Sequence, residues 1–251
     1  MTTSYASHAR ALTDALGLTL TPVAVSLTDT VPAGVPAFAG RVPAGCVFWQ
    51  EAAARSFATS PADHELCAIG TFTHNLDAGA AHEEDRRDAL RVFADLGYVR
   101  PEEVPLIPAL RQRRRHVVYG PLPDAPLAPD AVVLFVRAGQ TLVLVEACER
   151  VDGGTPPAMG RPACAVVPQV VNSGRAALSL GCCGARAYVD AMTEDVAIFA
   201  MPGGRLAEYT AQVTALARAN SVLGRFHRLR RADVEAGGRP TVMESVARLG
   251  S

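Results

Sequence analysis

The sequence predicts an α/β domain with a mixed sheet flanked by helices. Three observations carry this. Short runs rich in Val, Ile, Leu and Ala, such as Pro22–Leu27 and Val132–Val136, read as strands. Longer stretches with helical periodicity and glycine stops fall between them. The chain is 49% hydrophobic but only 6% aromatic over 251 residues, so its core is predicted to be mainly Ala, Val and Leu.

In chain order, Ser4 to Leu16 predicts a short amphipathic helix closed by Gly17, and Pro22–Leu27 a strand. A Pro- and Gly-rich loop runs from Asp29 to Gly45, after which Cys46 opens a predicted helix through Phe57. Thr59-Ser60-Pro61-Ala62-Asp63 is a turn with helix-capping chemistry. Glu83 to Leu96 is a charged helix stopped by Gly97. Val117–Tyr119 and Val132–Val136 are strands separated by the proline-rich stretch 121–129. Gln140–Val151 suits helix or strand. Ala163–Val167, Ala177–Leu180 and Val196–Met201 are further predicted strands, and Leu206–Leu223 is a helix.

These elements predict a single α/β domain over residues 1–224 and a basic C-terminal tail over 225–251, with a short terminal helix from Thr241. A weak internal echo adds a second expectation. Glu51-Ala52-Ala53-Ala54-Arg55 precedes Cys67, as Glu146-Ala147-Cys148-Glu149-Arg150 precedes Cys164. It predicts two related halves, a pseudo-repeat of 20–80 and 130–180, with these two segments superposing.

Charge and composition exclude several functions. The formal net charge is −1, against nucleic-acid binding by bulk electrostatics. All 24 basic residues are arginines, so a Schiff-base lysine, a P-loop lysine and a Ser-Lys dyad are excluded. G-x-G-x-x-G, G-x-S-x-G and H-E-x-x-H are absent. No apolar run approaches the ~18 residues of a membrane span, and no signal peptide is read at the N terminus. The expectation is a cytoplasmic protein without a membrane or nucleic-acid partner. Four arginines in Arg111–Arg115 read as a solvated face, or alternatively as an anion- or partner-binding patch.

The chemistry concentrates in cysteine. In Ser179-Leu180-Gly181-Cys182-Cys183-Gly184-Ala185-Arg186, adjacent cysteines lie between glycines and are followed by an arginine. Gly181 and Gly184 let backbone N–H groups approach a ligand. Arg186 favours a thiolate and supplies positive charge for an anionic cluster or substrate. Cys46 follows a glycine and opens a predicted helix, where free N–H groups favour a thiolate. Cys67 lies beyond a turn, flanked by His64 and His74, which are candidates to ligate directly or to hold a ligand in place. Cys148 lies in an apolar run and reads as a small core residue; Cys164 is read either way. No C-x-x-C occurs, against a zinc ribbon or thioredoxin motif, whereas dispersed cysteines suit an iron–sulfur cluster.

The ordered set of the Pro22-Val23-Ala24-Val25 strand, Cys46 before a helix, Cys67 near a glycine, Gly181-Cys182-x-Gly184-x-Arg186 and the Asp195–Pro202 strand resembles the bacterial and archaeal family catalogued as domain of unknown function 169. The chain departs from it at Ser26 and at the doubled cysteine. The resemblance brings no activity. It implies that Cys46, Cys67 and Cys182 belong together, with Cys164 as a fourth candidate.

The sequence therefore predicts an iron–sulfur-cluster protein, 4Fe-4S in type, with Cys46, Cys67 and Cys182 as metal ligands. It would act on or sense a small sulfur-containing or redox-active molecule. Two alternatives stand beside it: a metal-free enzyme with a Cys nucleophile or redox thiol, and a non-catalytic ligand-binding or metallochaperone module. No catalytic residue is assigned.

Overall fold

A computed structural model describes residues 4–77, 79–181 and 184–249. The first helix, α1 (Tyr5–Leu16), begins at Ser4, whose hydroxyl accepts the Ser7 N–H, and ends at Gly17 in the left-handed conformation. Strand β1 (Val23–Thr28) follows, then α2 (Val47–Ala52), β2 (Phe57–Thr59), a 3-10 turn at Pro61–His64, α3 (Ala68–Thr73) and α4 (Ala80–Asp95). A second 3-10 turn, Pro101–Leu106, leads to β3 (His116–Pro121). The rest comprises β4 (Ala131–Arg137), α5 (Ala138–Val151), β5 (Ala158–Met159), α6 (Val166–Ser173), β6 (Ala177–Ser179), α7 (Ala185–Tyr188), β7 (Val196–Pro202), α8 (Leu206–Glu235) and α9 (Val242–Ala247).

The strands form one seven-stranded sheet in the order β2-β3-β1-β4-β7-β6-β5. The β5–β6 pair is parallel and the other pairs are antiparallel, so the sheet is mixed, as predicted. Side chains alternate between faces. Val23, Val25, Val133 and Ile198 pack with α2 and α6 on one face. Ala24, Val132, Leu134 and Phe199 pack with α1, α5 and α8 on the other. Each fully buried Val, Leu or Phe contributes about 1.5–3 kcal/mol.

Several predicted elements change. The helix opened at Cys46 ends at Ala52 instead of running through Phe57. Phe57 pairs with Tyr119 in the sheet, and burying its ring there outweighs helix continuation. Ala163–Val167 is not a strand: Ala163–Ala165 forms a 3-10 turn that feeds α6. Val166, Val167 and Val170 have helical spacing and all face the core. Gln140–Val151 resolves as helix. The boundary drawn at residue 224 falls inside α8, which runs to Glu235, so residues 225–235 are helix rather than tail. Gly224 in its interior costs only about 1 kcal/mol relative to alanine.

The internal echo is also corrected. Helix α2, carrying Glu51, packs on one face of the sheet and α5, carrying Glu146, on the other, so those segments do not superpose. Strand order and register nevertheless match across the centre of the sheet, in a different alignment. From the sheet centre outward the strands run β1-β3-β2 on one side and β4-β7-β6 on the other. Their registers match. Val23 pairs with Pro121 as Ala131 pairs with Pro202, and Phe57 meets Tyr119 as Ala177 meets Ala200. In this alignment Cys46, before α2, corresponds to Cys164, before α6.

A candidate thiol site on one face of the sheet

Cys46 and Cys67 meet on the sheet face that carries α2 and α6. Cys46 is the last residue before α2 and Cys67 the last before α3. Both contribute to the same apolar cluster, as does Cys164. The Gly45 amide, adjacent to Cys46, donates to the Cys67 sulfur, and so does the Gly70 amide. Gly70 must be glycine for contact reasons, because a Cβ there would lie 2.7 Å from Cys67 Sγ. The pattern Gly45-Cys46 … Cys67-x-x-Gly70 is thus one interlocked unit.

Burial dominates the thiol chemistry. It pushes Cys46 up to about 12, reinforced by the charge Cys67 would carry, and opposed by the Cys46 and Val47 amides. Burial also raises Cys67, opposed by the Gly45 and Gly70 amides. Without a cation both sulfurs are neutral thiols near pH 7. The amides stand where they would stabilise thiolates once a cation displaces the protons.

Two buried imidazoles border the pair. His74 Nδ1 lies 3.0 Å from the Gly70 carbonyl, which only accepts, so Nδ1 carries the proton and Nε2 is bare. Thr59 Oγ1 donates to the Val117 carbonyl at 3.3 Å, so His64 Nε2–H donates to Thr59 Oγ1 at 3.0 Å and leaves Nδ1 bare. His64 Nδ1 and His74 Nε2 are buried without a hydrogen-bond partner. Their ring centroids are 6.0 Å apart. Burial lowers His74 to about 4, against the pull of the Gly70 carbonyl. Burial, then repulsion from His74 and His82, lowers His64 to about 3.

Tyr119 joins the three cysteines electrostatically. Its pKa is raised by burial first, then by the charges Cys164, Cys67 and Cys46 would carry. Its hydroxyl approaches Thr59 but makes no hydrogen bond of ordinary geometry. Sequence reading missed Tyr119, because a tyrosine in an apolar strand carries no local sign of its neighbours.

Of the predicted loop residues, Gly181, Gly184 and Arg186 are described. Cys182 and Cys183 lie outside the described residues. Gly181 has φ +71°, and a Cβ there would lie 2.3 Å from the Met192 side chain. A Cβ on Gly184 would lie 2.2 Å from the Tyr188 ring. Gly181 is favoured by its left-handed backbone, and a side chain at Gly184 would displace the Tyr188 ring. Arg186 donates to the carbonyls of Leu180, Thr193 and Val196, pinning both ends of the loop. In the 111–115 run, Arg113 pairs with Asp77 at 3.0 Å and Arg114 with Asp29 at 2.8 Å. The opposite-face cysteine, Cys148, is fully buried in the other core.

Among the described residues, no three His, Cys, Asp or Glu side chains are grouped closely enough to hold a metal ion. The donor set still suits a thiolate-binding centre. It offers two neighbouring sulfurs with N–H donors aimed at them, and two bare imidazole nitrogens.

The arrangement defines a buried thiol pair on one face of an open, mixed α/β sheet. The family model DUF169, described as Uncharacterised ArCR, matches residues 11–212, and the chain belongs to that family. No curated protein and no solved structure matches the chain. Among the described residues no helix is long and apolar enough to cross a membrane.

Proposed function

We propose that this protein binds an iron–sulfur cluster of the 4Fe-4S type through Cys46, Cys67 and Cys182, and uses it to act on or sense a small sulfur-containing or redox-active molecule. The observation that carries this reading is the Cys46–Cys67 pair. Both thiols are buried, and backbone amides face both sulfurs. Burial opposes an isolated thiolate, whereas a cluster takes its ligands as thiolates and is tuned by N–H···S hydrogen bonds. When bound, such a cluster supplies one-electron transfer, or a Lewis-acid position where an iron lacks a protein ligand.

Arg186 serves this reading by holding the loop that carries Cys182. Its guanidinium is already committed to three carbonyls. A thiol site of this kind also suits a reducing compartment, in keeping with a cytoplasmic location.

The test is anaerobic purification followed by iron, zinc and acid-labile sulfide analysis. The expected result is a brown protein with absorption near ~400 nm that reductant bleaches. A colourless, iron-free protein with one rapidly alkylated thiol would overturn the reading in favour of a nucleophile at Cys182 or Cys183. Raised by burial, Cys46 is a poor candidate for that role.

A further inference from the structure

The two halves differ most between their second and third strands. The first half places residues 60–115 there, including α3 and α4, where the second places only residues 180–195. This insertion reaches across to β5 and α6 of the second half and encloses a cleft of about 240 Å³. The cleft lining includes Ile69, two residues after Cys67, and Pro162, two residues before Cys164.

The walls state the chemistry of an occupant. Helix α4 has no buried residue, yet it turns Leu90 and Phe93 into the cleft, facing Ile107 and Met159. Leu106 and Met159 in this lining remain largely exposed. The charged groups at the rim compensate each other. Arg161 lies 3.7 Å from Glu103, over the Tyr98 ring at 5.1 Å, and donates to the Tyr98 carbonyl. No unbalanced charge therefore faces the cleft from this pair. The volume lies just below the ~300–1,000 Å³ of ordinary small-ligand pockets and is too small for a helix.

We infer that this cleft binds a neutral, mainly apolar small molecule and presents it beside the thiol site. The cleft itself rests on the insertion and its walls. Only the link to redox chemistry rests on the cluster reading.

The experiment is a fluorescence titration of the full chain with Nile red, a neutral apolar dye, on iron-free and iron-loaded protein alike. Saturable one-to-one binding with blue-shifted emission is expected in both. Phe93→Glu and Ile107→Glu should each weaken binding at least tenfold; neither residue is fully buried, so both variants should fold. Leu223→Glu, on the exposed apolar side of α8, should leave binding unchanged. Benzyl methyl sulfide, which is neutral, should displace the dye, and benzylsulfonate should not. The inference is overturned by absence of saturable binding, by binding that Leu223→Glu removes while Phe93→Glu does not, or by preferential displacement by the anion. Iron-free protein that still binds the dye at the cleft keeps this inference while the cluster reading fails.

Discussion

Ala24 of β1 pairs with Val132 of β4 at the centre of the sheet, and strand order and register match on either side of that pair. Val23 faces Val133 on one side of it, and Ala131 faces Val25 on the other. Cys46 and Cys164, each preceding a short helix, lie on the same face. Thr59 and Ser179 also correspond. Each ends an outer strand of its half with a buried hydroxyl.

Gly70→Ala tests the interlock at the thiol pair. The new Cβ would lie 2.7 Å from Cys67 Sγ, so the sulfur or the α3 backbone must move. The expected outcome is about 1–3 kcal/mol of destabilisation, in the range of core overpacking, measured by urea unfolding. Iron content should fall with it if the cluster forms. Unchanged stability and unchanged Cys67 alkylation would contradict the close approach.

Cysteine substitutions separate the two faces of the sheet. Cys46→Ser, Cys67→Ser and Cys182→Ser should each abolish cluster binding, and lower the melting temperature of the loaded protein, because binding energy is coupled to folding. Cys183→Ser should be nearly silent. Cys148→Ser should leave iron content unchanged, since Cys148 packs in the opposite core. Iron analysis and thermal melts read both effects. Equal iron loss in Cys148→Ser would show that the loss reflects general unfolding. Cys164→Ser measures whether the second half supplies a thiolate to the site or only packing.

The buried imidazoles set an acid limit on stability. Folded, His74 stays neutral down to about 4 and His64 down to about 3. Unfolded, each takes up a proton below about 6.5. Between those values the unfolded state binds more protons, so stability is present above that window and is lost as pH falls through it. His74 alone accounts for a difference on the order of 3 kcal/mol across its window. Urea midpoints from pH 7 to pH 4 should show the decline, and His74→Leu should flatten it. A flat wild-type profile would mean that the rings are not buried neutral.

Arg186→Leu removes donors from three carbonyls, so it should destabilise the chain by about 1–3 kcal/mol. Amide exchange should rise across residues 180–196. Arg186→Lys should restore little, because an ammonium cannot reproduce the planar fork. If exchange across the loop is unchanged in Arg186→Leu while anion affinity drops, the residue binds a ligand rather than clamping the loop.

Much of this was legible in short-range pattern. Ser4 and Gly17 bound the first helix as their chemistry dictates. The alternating strands β1, β3, β4 and β7 lie within a residue or two of their predicted limits. Errors arose where two periodicities suit the same residues. Val166-Val167 is β-branched and reads as strand, but Val170, one helical turn on, supplies a third contact that only a helix can bury. The internal echo failed for a related reason. Matching Ala-, Glu- and Arg-rich segments paired helices that lie on opposite faces, and strand register, which decides what pairs, is not visible in one strand.

By itself the sequence determined the class of fold, the family, and the residue types able to hold a soft metal centre, because composition, periodicity and glycine placement are local properties. Only the tertiary structure decided which of them meet. Cys46 and Cys67 come together because β1, β2 and β3 are neighbours in the sheet, and Tyr119 reaches them from a strand distant in sequence. Burial is a property of that assembly. It turns His64 and His74 into neutral acceptors and favours the protonated form of the two thiols.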